Sequence, residues 1–291
     1  MTEQGSVGSG VTARKGLRAV NDAVEAAQGG RAEQISASAL AEVGLRYEVD
    51  GEIATITLNR PDKRNAQTFA TWSALARIGD DLPGTVRIVV VKGEGPSFSA
   101  GIDLRLFTPG GVPGEGSFSS VLGEGFEERI AQAQQAFLWL RRPEIISIAA
   151  VQGHAIGAGF QLALACDLRI VADDVQFCMK EPALGLVPDL TGTKPLVDLV
   201  GLPRALELCV TARKVGAEEA LRLRLAELAV PVEELDTAVA DLAAALLATE
   251  RSAATATKRL LQGAGTRTLE EQAAAERAEQ VVRIRSLFAS G

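Results

Sequence analysis

The chain has a single histidine and three cysteines among 291 residues. One histidine excludes a histidine-rich metal site and leaves a Ser-His-Asp triad only if His154 serves it. Cys166, Cys178 and Cys209 sit in apolar surroundings without CxxC spacing, so they read as buried reduced thiols, and no metal site is expected. A secretory signal is missing too: Met1 to Gly10 is polar and Gly/Ser-rich with no apolar core, so the cytoplasm is the expected compartment. The most apolar stretch, Ile145 to Ala165, is broken by Gln152, His154, Gln161 and three glycines. It reads as strand, turn and helix rather than as a membrane span. Basic charge is not in excess either. The formal net charge is −7 and the Lys/Arg residues are scattered, which excludes a nucleic-acid surface and requires a local basic cluster for any anionic substrate.

What is present is ordinary globular composition, 47% apolar and 23% charged, enough for one large domain or two smaller ones. Residues 1–44 are Gly-, Ala- and Ser-rich and read as a partly flexible extension, with a short amphipathic helix at Val11–Ala27. From Leu45 the pattern changes. Leu45–Val49 and Ile53–Leu58 are β-prone runs about Asp50-Gly51-Glu52, a hairpin signal. A polar loop at Arg60–Asn65 leads to a helix over Thr68–Asp81, and Val86–Lys92 reads as a buried parallel strand. A helix from Phe126 to Arg141 is stopped by Pro143, and strands follow at Ile145–Val151, Leu168–Ala172 and Val175–Phe177, with a helix at Gly157–Cys166. Alternating strands and helices imply an α/β fold with right-handed crossovers. Residues 45–192 form the expected α/β core, and 193–291 a helical C-terminal region.

Two segments carry chemistry. Gly95–Asp103 follows a buried strand, where open α/β sheets place ligands, and the small residues Ser99, Ala100 and Gly101 let a ligand approach the main chain. The same segment reads equally as a tight turn with Asp103 as a helix cap. Val151–Leu162 also follows a buried strand and opens a helix, whose unpaired N–H groups suit developing negative charge. Its spacing is not that of a P-loop, which disfavours nucleotide hydrolysis.

Four ordered segments together resemble the crotonase, or enoyl-CoA hydratase/isomerase, family. They are Leu58-Asn59-Arg60-Pro61 with Asn65-Ala66, Phe98-Ser99-Ala100-Gly101-Ile102-Asp103, Gly153–Gly159 with Ala165-Cys166-Asp167, and Glu181–Pro188 around Gly185. The resemblance implies a spiral of ββα units with a helical C-terminal part that assembles trimers, often paired into hexamers. It implies an acyl-CoA thioester as substrate, with coenzyme A brought by the substrate and no separate cofactor. Lys63, Arg64 and Ala66, with Gly101, Ile102, Asp103 and Gly157, would hold it. The thioester oxygen would lie between the N–H groups of Ala100 and Ala158, an oxyanion hole in which each donor lowers the barrier by about 3 kcal/mol.

The resemblance also bears on the reaction. Family hydratases use two glutamates, one at the position of Gln161 and one at that of Glu181. Gln161 orients a water but exchanges no proton, so isomerisation through Glu181 is favoured over hydration. Glu181 could otherwise be a surface partner of Lys180. Asp189 stands where the family's dienoyl-CoA isomerases carry an aspartate and its aryl-CoA dehalogenases a nucleophilic one, and could be a second acid, a nucleophile or a helix cap before Thr191. A non-catalytic acyl-CoA-binding protein is the alternative from another class. His154 reads as structural. Phe107, Phe118, Leu122 and Phe126 are candidate walls of the acyl pocket, and seven glycines from Gly101 to Gly125 suggest a mobile cover.

Overall fold

The computed structural model describes residues 35–123 and 125–289; the helix expected at Val11–Ala27 lies outside them. Part of the expected extension is packed: helix α1 (Ala37–Glu42), capped by Ser36, buries Leu40 against the core. The hairpin forms as its turn predicts, with Gly51 at φ 56 between β1 (Leu45–Asp50) and β2 (Ile53–Leu58). Helix α2 (Phe69–Asp80) starts at Thr68, whose hydroxyl accepts from the N–H of Thr71 while the Thr71 hydroxyl accepts from that of Thr68. Its apolar spacing buries Trp72, Leu75 and Ile78.

Strands β3 (Ile88–Gly93), β4 (Ile146–Val151) and β6 (Leu168–Ala172) extend the sheet from β2, all in parallel. Between them run α3 (Phe118–Val121), α4 (Phe126–Leu138), β5 (His154–Ile156) and α5 (Ala158–Ala165). Strand β7 (Gln176–Cys178) pairs with β5 in a separate two-stranded sheet. The main sheet is buried on both faces, which explains its β-branched runs. Val89, Val91, Ala149, Val151 and Val171 face the larger core, and Ile88, Val90, Ile148, Ala150 and Ile170 face a smaller one.

Beyond residue 192 come α6 (Thr193–Val200), α7 (Leu202–Thr211), α8 (Ala217–Arg222), β8 (Leu228–Val230), α9 (Leu235–Leu247), α10 (Arg251–Ala264) and α11 (Leu269–Ala289). The boundary expected at 192/193 is therefore not a clean division. Strand β8 pairs with β6 and completes the six-stranded sheet, while Leu235, Val239 and Ala243 of α9 form one wall of the smaller core. A three-residue strand is too short to leave a periodic signal in a helical context. Helix α10 is fastened by Lys258, whose Nζ donates to Asp167 Oδ2 at 2.6 Å and to the carbonyl of Ile145 at 2.7 Å. Asp167 also accepts from the N–H of Ser147, so one carboxylate ties the C-terminal helices to β4. Helix α11 buries none of its residues.

Candidate active site

The strand ends and the loops after them enclose a cavity of about 690 Å³. Ala100, Gly101, Ile102, Gly157, Ala158, Glu181 and Asp189 all line it. Two close approaches bring their segments together. Ser99 bridges Ala155 in parallel, and a Cβ placed on Gly101 (φ 90) would come within 2.5 Å of the Ile156 carbonyl and 3.5 Å of the Ala158 nitrogen. Only glycine permits that contact at that dihedral. Gly157 (φ 51) makes room for the acid: a Cβ there would lie 3.1 Å from Glu181 Oε1.

The main-chain donors differ from the expectation at one position. The N–H of Ala100 donates to the Arg64 carbonyl at 2.7 Å, so it is spent on holding the 60–66 loop. Between Ser99 and Asp103, the backbone N–H without an acceptor among the described residues is that of Ile102, a residue that lines the cavity. Gln67 N–H donates to the Gly101 carbonyl and Asp103 N–H to the Gln67 carbonyl, both at 2.8 Å, and this parallel bridge leaves Ile102's own N–H facing the opposite side. Ala158 lines the same cavity. As the first residue of α5, its N–H has no acceptor in a preceding helical turn, and it sits at the positive end of the helix.

Glu181 opens a short 3₁₀ turn, Glu181–Leu184, directly after β7 and Lys180. It makes no ion pair with Lys180, which lines the cavity beside it. Instead Oε1 accepts from Gln161 Nε2 at 2.7 Å, and Oε2 is buried with no partner among the described residues. Burial pushes the Glu181 carboxyl above the usual glutamate range, opposed by the hydrogen bonds it receives and reinforced by the charge of Asp189. Asp189 caps no helix: α6 begins at Thr193 after Gly192. Asp189 lines the same cavity and keeps solvent exposure, and the protein packed around it raises its pKa too.

Gln161 is fully buried and does not line the cavity, which corrects its expected place at the reacting atoms. Its Oε1 accepts from the N–H groups of Leu190 (2.9 Å) and Gly192 (3.1 Å), and its Nε2 is given to Glu181. Asp103 is likewise committed elsewhere. Its carboxylate accepts from Arg105 Nη2 (2.7 Å), Arg105 Nε (3.0 Å) and Arg60 Nη2 (3.1 Å), and it caps the 3₁₀ turn Leu104–Phe107. The Arg105 guanidinium, more than Arg60, holds its pKa down to about 2. The cap reading of Asp103 is the one its contacts match, and a carboxylate so occupied has no lone pair left for a ligand.

Lys63, Arg64 and Ala66 lie outside the cavity lining. Lys63 is exposed with Asp62 at 3.6 Å, Arg64 is exposed at φ 48, and the Ala66 carbonyl accepts from Arg60. The loop is fixed by Asn65, a residue with no role assigned from sequence. Its buried amide donates to the Glu94 and Ser97 carbonyls and accepts from the Arg60 N–H. His154 meets Ser97 Oγ through Nδ1 at 3.3 Å, away from the cavity lining.

The acyl end is aromatic. Nine phenylalanines, two tryptophans and one tyrosine are all the chain has, yet Phe69, Trp72, Phe107, Phe118 and Phe126 line this one cavity. Phe107, Phe118, Leu122 and Phe126 were expected there; Phe69 and Trp72, three apart on α2, were not. The α2 face carried the signal, since Phe69 sits edge-on to Trp72, Phe118 and Phe126 at 5.1, 5.9 and 6.4 Å. The glycine-rich cover is tied down at Glu115, whose carboxylate accepts from the Ala70 N–H at 3.0 Å.

Residues 48–286 match the family model for enoyl-CoA hydratase/isomerase. A probable enoyl-CoA hydratase of Rhodobacter capsulatus is 38% identical over 188 residues, covering 64% of this chain and 68% of that one. A carnitinyl-CoA dehydratase of Salmonella arizonae is 35% identical over 238 residues, 78% of this chain and 83% of that one. Among solved structures, a candidate enoyl-CoA hydratase of Thermobifida fusca is 56% identical with a TM-score of 0.87, covering 90% of this chain and all of that one. The same Thermobifida protein is also solved in complex with acetoacetyl-CoA (57% identity, TM-score 0.86, 87% of this chain and 100% of that one).

Proposed function

This chain belongs to the enoyl-CoA hydratase/isomerase family, and within it we propose an enzyme that moves a proton along the acyl chain of an enoyl-CoA thioester. The observation that carries the reading is the arrangement of Glu181. One of its oxygens is pinned by Gln161 while the other has no partner among the described residues, in a carboxylate whose affinity for protons is raised. Such a group takes a proton from carbon near neutral pH and returns it, the two halves of an isomerisation. The N–H groups of Ala158 and Ile102 would receive the thioester oxygen as it gains enolate charge. Ile102 replaces Ala100 in this role, because the Ala100 N–H is already taken.

Isomerisation is favoured over hydration because Gln161 neither titrates nor faces the cavity, so a pair of carboxylates around one water is not formed with it. Asp189 supports a second reading, a shift along a conjugated dienoyl chain with one acid at either end. Asp189 lines the same cavity, and its charge couples to Glu181. The acyl-CoA complex of the Thermobifida relative supports a coenzyme A thioester as substrate, brought in without a separate cofactor. Lys63 and Arg64 on the exposed loop are the proposed contacts to the coenzyme A phosphates. Assembly as a homotrimer or homohexamer is proposed for the C-terminal helices, supported by the exposed Leu261, Leu269, Leu287 and Phe288 on or beside α10 and α11.

The test is a panel of 2-enoyl-, 3-enoyl- and dienoyl-CoA thioesters with products followed by mass spectrometry and NMR. Hydration adds the mass of water and isomerisation does not. Turnover of 3-enoyl- or dienoyl-CoA at constant mass, lost in Glu181→Gln, is the expected result. Acyl-CoA binding with no turnover of any member would replace the enzyme by a binding protein.

A further inference from the structure

Gln161 spends both ends of its amide on the two acid-bearing segments. Nε2 donates to Glu181 Oε1 at 2.7 Å, and Oε1 accepts from Leu190 N–H at 2.9 Å and Gly192 N–H at 3.1 Å. These two donors flank Thr191, whose φ of 68 is a left-handed conformation that a β-branched residue adopts only where its surroundings hold it. A third bond acts on the same turn, since Gln134 Nε2 of α4 donates to the Asp189 carbonyl at 2.7 Å. The fit is close: a Cβ on Gly192 would lie 2.6 Å from Gln161 Cγ, so position 192 has room only for glycine while Gln161 stands there.

We infer that Gln161 is a positioning residue that holds Glu181 and the Asp189-bearing turn in one fixed relation, so that both acids face the acyl group together. The inference rests on Glu181 as the proton carrier. It assigns Gln161 no contact with substrate. Its amide favours the ionised form of Glu181, because the N–H donates to the carboxylate, and it leaves only Oε2 free. Its carbonyl, by accepting two backbone donors, offsets the strain at Thr191 and so sets where Asp189 points. A glutamine suits both tasks because it presents a donor and an acceptor on one rigid plane.

The titratable groups around Glu181 are Asp189 on the clamped turn, Lys180 on its own segment, Cys178 at the end of β7 and Cys209 on α7. Burial raises both thiols, so they stay neutral where the enzyme works. Removing the Gln161 donor therefore raises the Glu181 pKa further. Gln161→Met, similar in length with no donor or acceptor, is expected to lower kcat roughly ten- to a hundred-fold with KM little changed. The acidic limb of its kcat profile is expected to move to higher pH.

Gln161→Glu is the second arm. When protonated, the new acid can donate to Glu181 and still accept from Leu190 and Gly192; when ionised it faces a like charge. Its activity relative to the parent should therefore fall as pH rises. The Glu181 titration is also followed in the free protein by carboxylate carbon NMR, which needs no substrate. A displaced titration in a protein that turns over no thioester would sink the proton-shift reading and leave the positioning role standing. Normal turnover with an unmoved titration and a superimposable pH profile in either variant would sink the positioning role alone. If Gln161→Met does not fold, Gln161→Glu decides.

Discussion

Two regions border the same cavity and treat their carboxylates in opposite ways. On one side, the 99–105 turn is cross-braced to the 59–67 loop behind it through Asp103 and Asn65. Asp103 accepts from two guanidiniums, and Asn65 ties Arg60, Glu94 and Ser97. The chain Trp72–Gln67–Ser99–Asn65 is hydrogen-bonded throughout. On the other side, among the described residues, the 181–192 segment leaves Glu181 Oε2 without a partner and the Asp189 carboxylate with none beyond its own backbone. The pKa directions follow, down to about 2 for Asp103 and upward for Glu181 and Asp189. A satisfied carboxylate is a structural part; a desolvated and unsatisfied one holds free energy that a substrate can use.

The sharpest way to break this comparison is to remove one oxyanion donor without touching either region's side chains. Ala158→Pro does so at the first helical position, where proline is tolerated. A loss of about 10²–10³ in kcat, with the thermal unfolding midpoint nearly unchanged, is expected. Unaltered kcat in the Ala158→Pro variant would remove the helix end from the mechanism.

Next in size is Asp103→Asn. It leaves two guanidiniums short of their counter-charge and is expected to destabilise the fold by about 2 kcal/mol, reduced from the fully buried case because Arg105 is partly exposed. Denaturant unfolding checks it. Because the folded pKa of Asp103 is depressed, its contribution is present above the unfolded carboxylate value and lost as pH falls through about 2. The parent and Asp103→Asn should therefore converge in stability toward the acid end.

The smallest effect has the opposite sign. Glu181 has a folded pKa raised above its unfolded value, so its contribution is present below the unfolded value and lost as pH rises through the folded one. Glu181→Gln, which abolishes the expected turnover, should then unfold at a slightly higher temperature than the parent at neutral pH. Differential scanning calorimetry at two pH values shows whether the gain is confined to the higher one. A destabilised Glu181→Gln would place Glu181 among the structural carboxylates beside Asp103.

The sequence by itself determined the fold class, the hairpin, the longer strands of both cores and three segments that line the cavity, around Ala100–Ile102, Ile156–Ala158 and Glu181–Val187. These are written in local signals: period-two and continuous apolar runs, caps, and glycines where chains approach. The aromatic walls at Phe107, Phe118 and Phe126 were legible for the same reason. What only the tertiary structure decided were partnerships between residues far apart in the chain. Ala100 loses its N–H to Arg64, and Ile102 keeps one because Gln67 bridges its neighbours. Gln161 turns from the cavity to hold Glu181 and Gly192. Strand β8 joins the sheet from within a helical region, with too few residues to announce itself. A residue's type states what it can donate or accept. Which partner takes it depends on distances that only folding sets.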